Sequence, residues 1–312
     1  MGLRLKFKTV DVFTDRVFCG NPLAVFLNCK LLEKEQMQSI AREIGYSETA
    51  FVFRPEDPIN SALIKIFSPA SELAFAGHPN IGVAFILLKY PEYLPGKLLG
   101  DKLMLEQKAG LVEATGLKSD QKGIRGSEIQ APEDYRAYDI LPIERICKAL
   151  SIDSDDICAK GSDPIIASVG LPFAIVRLSS IKSLSKCFPN ISEFNKLDID
   201  FNYAGDGFSI LVYAFEDTQN QNTDYSIRAR VFCPLMGIVE DAATGSACAA
   251  LAGNLLSLKN GNQKKLNIAV AQGVEMGRPS TIFANAYEYS DGSIRVKISG
   301  DCVELIDGTL EI

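Results

Sequence analysis

The chain has a single histidine in 312 residues, and none of its eight cysteines stands in a CxxC spacing. Zinc sites are usually built from closely spaced cysteine and histidine pairs, so the sequence argues against a metal centre. Charged and apolar residues alternate over residues 1–8, which is unlike a secretory segment. We therefore expect a cytoplasmic protein whose eight cysteines are buried free thiols.

Long apolar runs and an excess of positive charge are also missing. The longest apolar runs fall well short of the ~20 residues that span a bilayer, so we expect no membrane partner. The net charge of −7 disfavours nucleic acid and anionic lipid. A hydrophobic content of 47% with 23% charged residues is typical of a folded globular protein and excludes a disordered one.

The motifs of several common enzyme classes are absent as well. The sequence contains neither a GxxxxGK[ST] phosphate loop nor the GxSxG turn of serine hydrolases. A Ser-His-Asp triad would have to use His78, and nothing else in the sequence supports one. These absences exclude P-loop nucleotide hydrolysis and argue against ester hydrolysis by a serine nucleophile.

What the sequence does contain is a resemblance between its own two halves. The matched segments are residues 61–69 with 226–234, residues 20–26 with 170–176, and residues 109–113 with 272–275. The three matches occur in the same order in both halves, which indicates an internal duplication. Chance agreement between common strand patterns is the alternative.

Each half has a strand-rich pattern with a few helices. The apolar and β-branched residues of segment 62–67 predict a strand, and apolar residues at helical spacing predict a helix over residues 32–43. Such mixed patterns in both halves predict two similar α+β domains.

The boundary between these domains is predicted from composition. Residues 118–127 are polar, contain glycine and show no periodicity, which is typical of a linker. We therefore expect one domain over residues 1–122 and a second over residues 123–298, with residues 299–312 returning to the first.

Two glycine-bearing turns open predicted helices near residues 79–88 and 245–256. The first turn of a helix offers backbone N–H groups and the positive end of the dipole, which bind anions. Two such starts facing one cleft could bind one anionic substrate. The alternative is ordinary capping by Asn80 and Thr244, with glycine present for close packing.

Three side chains could carry acid/base chemistry. Glu48 leads into an apolar strand, where a desolvated carboxyl has a raised pKa and can act as a general acid or base; a solvated strand-end glutamate is the alternative. His78 lies at a helix start that favours its neutral form, or it is merely structural. Asp241 precedes the second helix start, where it could instead stabilise the helix dipole.

Five motifs resemble the phenazine biosynthesis-like (PhzF-like) family of the diaminopimelate epimerase-like fold. They are VDVFTDRVFCGNPLAVF (10–26), GYSETAFV (45–52), IFSPASELAFAGHPNIGVA (66–84), GIVEDAATGSACAAL (237–251) and QGVEMGRPS (272–280). They occur in the family's order and cover nearly the whole chain.

The resemblance implies two pseudo-symmetric domains, each a curved sheet wrapped around a central helix, with the active site between them. It further implies that Glu48 is the general acid/base, with His78 and Asp241 beside it. The implied substrate-binding residues are Asn21, Ser47, Gly77, Gly245 and Ser246. The family's best-known reaction is a proton-shifting isomerisation of a dihydro-hydroxyanthranilate without a cofactor, and a homodimer is implied as well.

The expected function is therefore a cofactor-independent isomerase acting on a small anionic substrate. Thiol-dependent racemases of this fold place one cysteine before each central helix, and here those positions are Ala76 and Thr244. A cofactor-free racemase or epimerase nevertheless remains one alternative. A non-catalytic protein that binds a small anion or a partner, and has kept the fold, is the other.

Overall fold

The computed structural model describes residues 3–120, 123–158, 163–203, 207–217, 222–259, 261 and 263–312. The chain divides into two compact units. The first comprises Met1–Pro132 and Ser299–Ile312, and the second comprises Glu133–Ile298.

The first unit contains eight strands and two α-helices within the described residues. In chain order they are β1 (Arg4–Val12), β2 (Asn21–Leu27), α1 (Lys34–Ile44), β3 (Glu48–Phe53), β4 (Ala62–Phe67), β5 (Glu72–Leu73), α2 (Gly77–Lys89), β6 (Lys102–Gln107), β7 (Gly110–Ser119) and β8 (Gly123–Gln130).

The second unit follows, and a long last strand leads from it into the first. The elements are β9 (Arg136–Ile140), α3 (Ile143–Leu150), β10 (Ile165–Ser168), β11 (Pro172–Arg177), α4 (Ile181–Lys186), α5 (Ile191–Phe201), β12 (Ile210–Phe215), β13 (Tyr225–Cys233), β14 (Ile238–Asp241), α6 (Gly245–Ser257), β15 (Lys265–Gln272), β16 (Ser280–Glu288) and β17 (Ile294–Glu311).

The predicted boundary after residue 122 and the linker at residues 118–127 are wrong, whereas the expected return of residues 299–312 to the first unit agrees with the division. The division falls after Pro132, and residues 118–127 belong largely to the β7–β8 hairpin. The two strands pair antiparallel, with Thr115 opposite Glu128, and Gly123 has a left-handed φ of 67° at the turn. Polar residues with a glycine are as typical of an exposed hairpin as of a linker. Residues 121–122 lie outside the described residues.

The sheet of the first unit alternates antiparallel and parallel pairs. β1 pairs antiparallel with β2 and with β17, β2 is parallel to β3, and β3 is antiparallel to β4. β4 is then parallel to β6, which is antiparallel to β7. The parallel register places Leu23 opposite Glu48, so the first residues of β2 and β3 lie at the same end of the sheet.

The second unit repeats this succession of pairings. β10 is antiparallel to β11, β11 is parallel to β12, and β12 is antiparallel to β13. β13 is parallel to β15, which is antiparallel to β16. The matched sequence segments fall on corresponding strands, since residues 61–69 contain β4 and residues 226–234 contain β13.

One nearly apolar helix lies at the centre of each unit. The described side chains of α2 from Gly77 to Leu87 are all buried, and the helix contacts β1, β2, β3, β7 and β8. α6 is buried from Gly245 to Leu256 and contacts β10, β11, β15 and β16. A helix that is apolar on every face must be enclosed, and here the strands of its unit enclose it. No helix among the described residues is long and apolar enough to cross a membrane.

Amphipathic helices cover the other face of each sheet. In the first unit α1 buries Met37, Ile40 and Ala41 in a cluster that includes the stacked rings of Phe26 and Phe51. In the second unit α3, α4 and α5 contribute to an equivalent cluster. Of these helices, α1 matches the helix predicted over residues 32–43, whereas α4 and α5 were not predicted.

None of the eight cysteines, all of which lie in the described residues, forms a disulfide, and only some are fully buried. Cys29, Cys187, Cys233, Cys248 and Cys302 are buried. The expectation of eight buried thiols is wrong for Cys19, Cys147 and Cys158, which are half-buried.

Candidate active site

Glu48 is the first residue of β3, at the end of the sheet where β2 also begins. The preceding helix α1 ends at Ile44, and Gly45 follows it in the left-handed conformation with a φ of 68°. Glycine adopts this conformation without a steric penalty and lets the chain reverse. The short turn leaves Glu48 between the helix end and the strand, as the sequence predicted.

The Glu48 carboxyl faces the only histidine of the chain. Glu48 Oε2 lies 3.3 Å from His78 Nε2, and the two side chains are 15% and 4% exposed. This separation is just beyond a normal hydrogen bond. Glu48 Oε2 accepts no hydrogen bond from any described residue, although it is buried. A buried carboxylate oxygen normally has a partner, so this atom is available to one that is not part of the described chain.

The surroundings of Glu48 raise its pKa to a value near neutral pH. Burial raises the pKa of Glu48 to about 7, because the charged form loses its hydration, and a hydrogen bond from the Ser47 side chain opposes this shift. Both the acid and the base form are therefore populated near neutral pH, as a residue that both removes and returns a proton requires.

Ser47 connects this carboxyl to β2. Its hydroxyl donates to Asn21 Oδ1 at 3.0 Å and is also close enough to bond the Glu48 carboxyl. A hydroxyl has one proton, so it serves one acceptor at a time. Asn21 is buried and begins β2, which the parallel register places beside the start of β3. Asn21, Ser47, Glu48 and His78 are thus brought together in the first unit.

The start of α2 supplies the histidine and a set of backbone donors. Ala76 precedes the helix and has no side-chain oxygen to cap it. Asn80, considered above as a cap, instead lies one turn into the helix, where its Nδ2 donates to Ala76 O at 2.8 Å. Asn80 also forms a reciprocal amide pair with Gln107, the last residue of β6. The N–H groups of Gly77 and its neighbours in the first turn have no acceptor within the helix itself.

Asp241 ends β14 and lies three residues before Thr244, the residue that precedes α6. The Thr244 hydroxyl donates to Asp241 Oδ2 at 2.6 Å, and its oxygen accepts no hydrogen bond from the first turn of α6. Ordinary capping of α6 by Thr244 is therefore wrong. Gly245 and Ser246 form the first turn of α6 and are both buried.

Gln272, the last residue of β15, holds this region together. Its side chain accepts from Thr244 N at 3.0 Å, and it donates to Asp241 O at 2.8 Å and to Thr244 Oγ1 at 2.9 Å. Cys248 Sγ lies 3.8 Å from Gln272 Oε1. Asp241, Gly245 and Ser246 are thus brought together in the second unit, around a glutamine that the sequence analysis did not single out.

Gln107 and Gln272 hold equivalent positions in the two units. The parallel pairs β4–β6 and β13–β15 align Leu63 with Glu106, and Arg228 with Ala271. In each unit a glutamine follows and bonds to the start of the central helix. A signal existed in the sequence, because the two glutamines are as far apart as Ser61 and Ser226. Matching Gly110 with Gly273 instead concealed it, because Gly110 lies three residues after Gln107 whereas Gly273 follows Gln272 directly.

No group of three or more histidine, cysteine, aspartate or glutamate side chains that could hold a metal ion occurs among the residues that the structure describes. The start of α2 offers the Glu48 carboxyl, with a pKa of about 7, the His78 imidazole and backbone donors. The start of α6 offers the Asp241 carboxyl and its own backbone donors.

Comparison with known proteins identifies a family and a class of reaction. A family model described as phenazine biosynthesis-like protein matches residues 10–308. The trans-2,3-dihydro-3-hydroxyanthranilate isomerase of Pseudomonas chlororaphis is 34% identical over 308 residues, which cover 96% of this chain and 97% of the relative. Other relatives are also isomerases by name.

Solved structures support the fold. A phenazine biosynthesis protein of the PhzF family from Bacillus anthracis has a TM-score of 0.85 at 20% identity and covers 99% of this chain and 100% of its own. A hydroxyproline epimerase from Agrobacterium vitis has a TM-score of 0.64 at 12% identity and covers 99% and 93%. The predicted α+β, epimerase-like fold is confirmed.

Proposed function

Because the chain belongs to the phenazine biosynthesis-like family and is an isomerase, we propose that it moves a proton on a small carboxylate-bearing substrate without a cofactor. In this proposal Glu48 is the general acid and base. The observation that carries it is the Glu48 carboxyl itself, which is buried, has a pKa of about 7 and leaves Oε2 without a hydrogen bond from the described chain.

In the proposed reaction Glu48 ends in the protonation state in which it began. The ionised carboxylate takes a proton from one carbon of the substrate, and the electron pair of the broken C–H bond moves into the adjacent unsaturated system. The protonated Glu48 then returns the proton to a second carbon, and the carboxylate is regenerated. His78 Nε2, 3.3 Å from Glu48 Oε2, can hydrogen-bond to the carboxyl or to a substrate oxygen during this transfer.

Each unit offers a candidate site for the substrate carboxylate at the start of its central helix. At α2 the preceding residue Ala76 cannot cap the helix, and at α6 the Thr244 hydroxyl is directed to Asp241. The first-turn N–H groups, including those of Gly77, Gly245 and Ser246, therefore do not receive a cap from the residue before the helix. Such groups stabilise a negative charge by hydrogen bonds and by the helix dipole.

We also infer that the two units arose by duplication of one ancestral unit. The supporting observations are the matched segments on β4 and β13 and the identical succession of strand pairings. A duplication accounts for the presence of one central helix start in each unit.

Racemisation by two thiols has little support from these residues. The residues before the helices are Ala76 and Thr244, so neither position has a thiol. Cys248, within α6, is buried, and burial raises the pKa of its thiol. A buried neutral thiol is a poor base.

The test uses trans-2,3-dihydro-3-hydroxyanthranilate as the probe, because relatives are named for its isomerisation. Turnover is followed by absorbance, and proton NMR in deuterium oxide detects exchange of the moved hydrogen. Glu48→Gln keeps the size of the side chain and removes the titrating proton. We expect turnover to fall by about 10²–10⁴-fold with the fold intact.

Glu72→Gln is the matched control. The Glu72 side chain is similarly shielded, at 19% exposed, and forms an ion pair with Lys34 rather than facing His78. We expect this variant to keep the parent's turnover. Undiminished turnover in folded Glu48→Gln would remove Glu48 from the mechanism. Binding of the probe without turnover by the parent would favour the binding-protein alternative.

A further inference from the structure

We propose that Gln272 is a positioning residue that directs the Thr244 hydroxyl onto Asp241 and so holds the Asp241 carboxylate in an ionised, fixed state for the reaction. The proposal rests on the isomerase function proposed above, to which it adds a part for Asp241 in catalysis. The hydrogen-bond arrangement itself lies entirely within the second unit.

The orientation of the Gln272 amide is fixed by two backbone groups. Thr244 N–H can only donate, so the atom facing it at 3.0 Å must be Oε1. Asp241 C=O can only accept, so the atom facing it at 2.8 Å must be Nε2. Because Gln272 is fully buried, water does not compete for these contacts. The amide therefore cannot be flipped without breaking two backbone hydrogen bonds.

This orientation determines where the Thr244 proton goes. The second N–H of Gln272 Nε2 donates to Thr244 Oγ1 at 2.9 Å, so the hydroxyl oxygen acts as an acceptor there. The hydroxyl proton is then directed to Asp241 Oδ2 at 2.6 Å. A short hydrogen bond from a hydroxyl to a carboxylate is charge-assisted and favours the ionised acceptor. Gln272 thus acts on Asp241 through Thr244, without contact between the two side chains being required.

Gln107 shows what is specific to this arrangement. It holds the same register position in the first unit, but its amide pairs with the amide of Asn80. Among the described residues of that unit, the Gln107 amide does not connect a hydroxyl to a carboxyl. Substitution at Gln107 therefore disturbs the start of a central helix without changing the acceptor to which a hydroxyl donates. Gln107→Glu is thus the matched control.

The main variant is Gln272→Glu, which keeps the shape and removes both donors. The new carboxylate cannot donate to Thr244 Oγ1, so the hydroxyl turns to donate to it and leaves Asp241. Thr244→Val removes the hydroxyl with little change of volume, and Thr244→Ser keeps it. Loss of a hydrogen bond to a charged group is worth about 10- to 100-fold. We expect that loss in kcat/KM on trans-2,3-dihydro-3-hydroxyanthranilate for Gln272→Glu and for Thr244→Val, with near-parent activity for Thr244→Ser.

The decisive measurement is the double variant. If Gln272 acts through the Thr244 hydroxyl, Gln272→Glu costs no further activity once Thr244→Val is present. Fully multiplicative losses, equal to those of Gln107→Glu combined with Thr244→Val, would overturn the proposal. Should Gln272→Glu fail to fold, Gln272→Met removes the same donors without adding a charge, and the same non-additivity is expected.

A second measurement does not depend on activity. In a crystal structure of Gln272→Glu we expect Thr244 Oγ1 to move beyond 3.5 Å from Asp241 Oδ2, compared with 2.6 Å in the parent. An unchanged separation would refute the positioning role even if the enzyme is active. Failure of the proposed function has a different signature, namely undiminished turnover in Glu48→Gln or no turnover of the probe by the parent.

Discussion

Glu48 Oε2 and His78 Nε2 face each other at 3.3 Å, although one belongs to the start of a strand and the other to the start of a helix. The approach is made possible by the parallel pairing of β2 with β3 and by the packing of α2 against both strands. It shields a carboxyl that is not part of a strong ion pair. That shielding has measurable consequences for stability as well as for the reaction.

The first consequence is a pH-dependent gain of stability in Glu48→Gln. Burial raises the pKa of Glu48 from 4.5 to about 7, so the folded protein holds this proton more tightly than the unfolded chain does. The Glu48 contribution to the free energy of unfolding is therefore unfavourable above about pH 7 and is relieved as the pH falls towards 4.5. The penalty at pH 8 is at most about 3 kcal/mol.

We expect Glu48→Gln to be more stable than the parent at pH 8 and nearly equal to it at pH 4. Urea unfolding at several pH values measures the difference. Glu72→Gln, which loses an ion pair with Lys34, should show no such gain at pH 8. A difference between Glu48→Gln and the parent that does not grow with pH would mean that Glu48 is not desolvated in solution.

A second prediction concerns Ser47. Its hydrogen bond opposes the rise in the pKa of Glu48, so Ser47→Ala should raise that pKa further. The acid limb of kcat/KM then moves to higher pH, with a loss of about tenfold on that limb and little change on the alkaline side. Ser39→Ala should leave the profile in place, because the Ser39 hydroxyl donates to Glu35 O within α1. A parallel drop at all pH values would argue against this role for Ser47.

A third prediction concerns the loop that precedes Asn21. Gly20 has a φ of 65°, and a Cβ atom there would lie 2.3 Å from Val12 O and 2.8 Å from Thr14 Cγ2. Alanine in this conformation costs about 1–2 kcal/mol, and the clash with backbone adds about 1–3 kcal/mol. We expect Gly20→Ala to lower the free energy of unfolding by the sum of both and to reduce turnover by displacing Asn21.

Gly100 separates the two contributions. Its φ is 68°, but nothing lies within 4 Å of an added Cβ. Gly100→Ala should therefore show only the conformational cost, about 1–2 kcal/mol, with normal turnover. Equal losses of stability in Gly20→Ala and Gly100→Ala would mean that the loop moves to accommodate the methyl group added at residue 20.

Local pattern was sufficient to predict most elements of the central sheets. The strand at 62–67 was predicted with its observed bounds, and α2 begins two residues before the predicted Pro79. Proline is tolerated there because first-turn N–H groups have no acceptor within the helix. α5 was missed because its exposed Ile191 and Ile199 obscure the apolar stripe.

The candidate site could be predicted less completely than the fold. Motifs singled out Glu48, His78 and Asp241, but the 3.3 Å approach and the raised pKa of Glu48 arise from burial by residues distant in the chain. The roles of Gln107 and Gln272 depend on strand register, and the glycines that follow them lie at different distances, so matching Gly110 with Gly273 misaligns the two glutamines. Such long-range effects leave little trace in local pattern.

The pairing of β1 with β17 affects the order in which the protein is assembled during translation. Arg4 lies opposite Glu311, and Leu3 and Ile312 exchange backbone hydrogen bonds of 2.7 and 3.0 Å. β1 leaves the ribosome long before β17, so one edge of β1 has no partner while the whole second unit is being synthesised. The second unit can thus be complete while the first still exposes an open strand edge, which makes that edge the part of the nascent chain most in need of protection from aggregation.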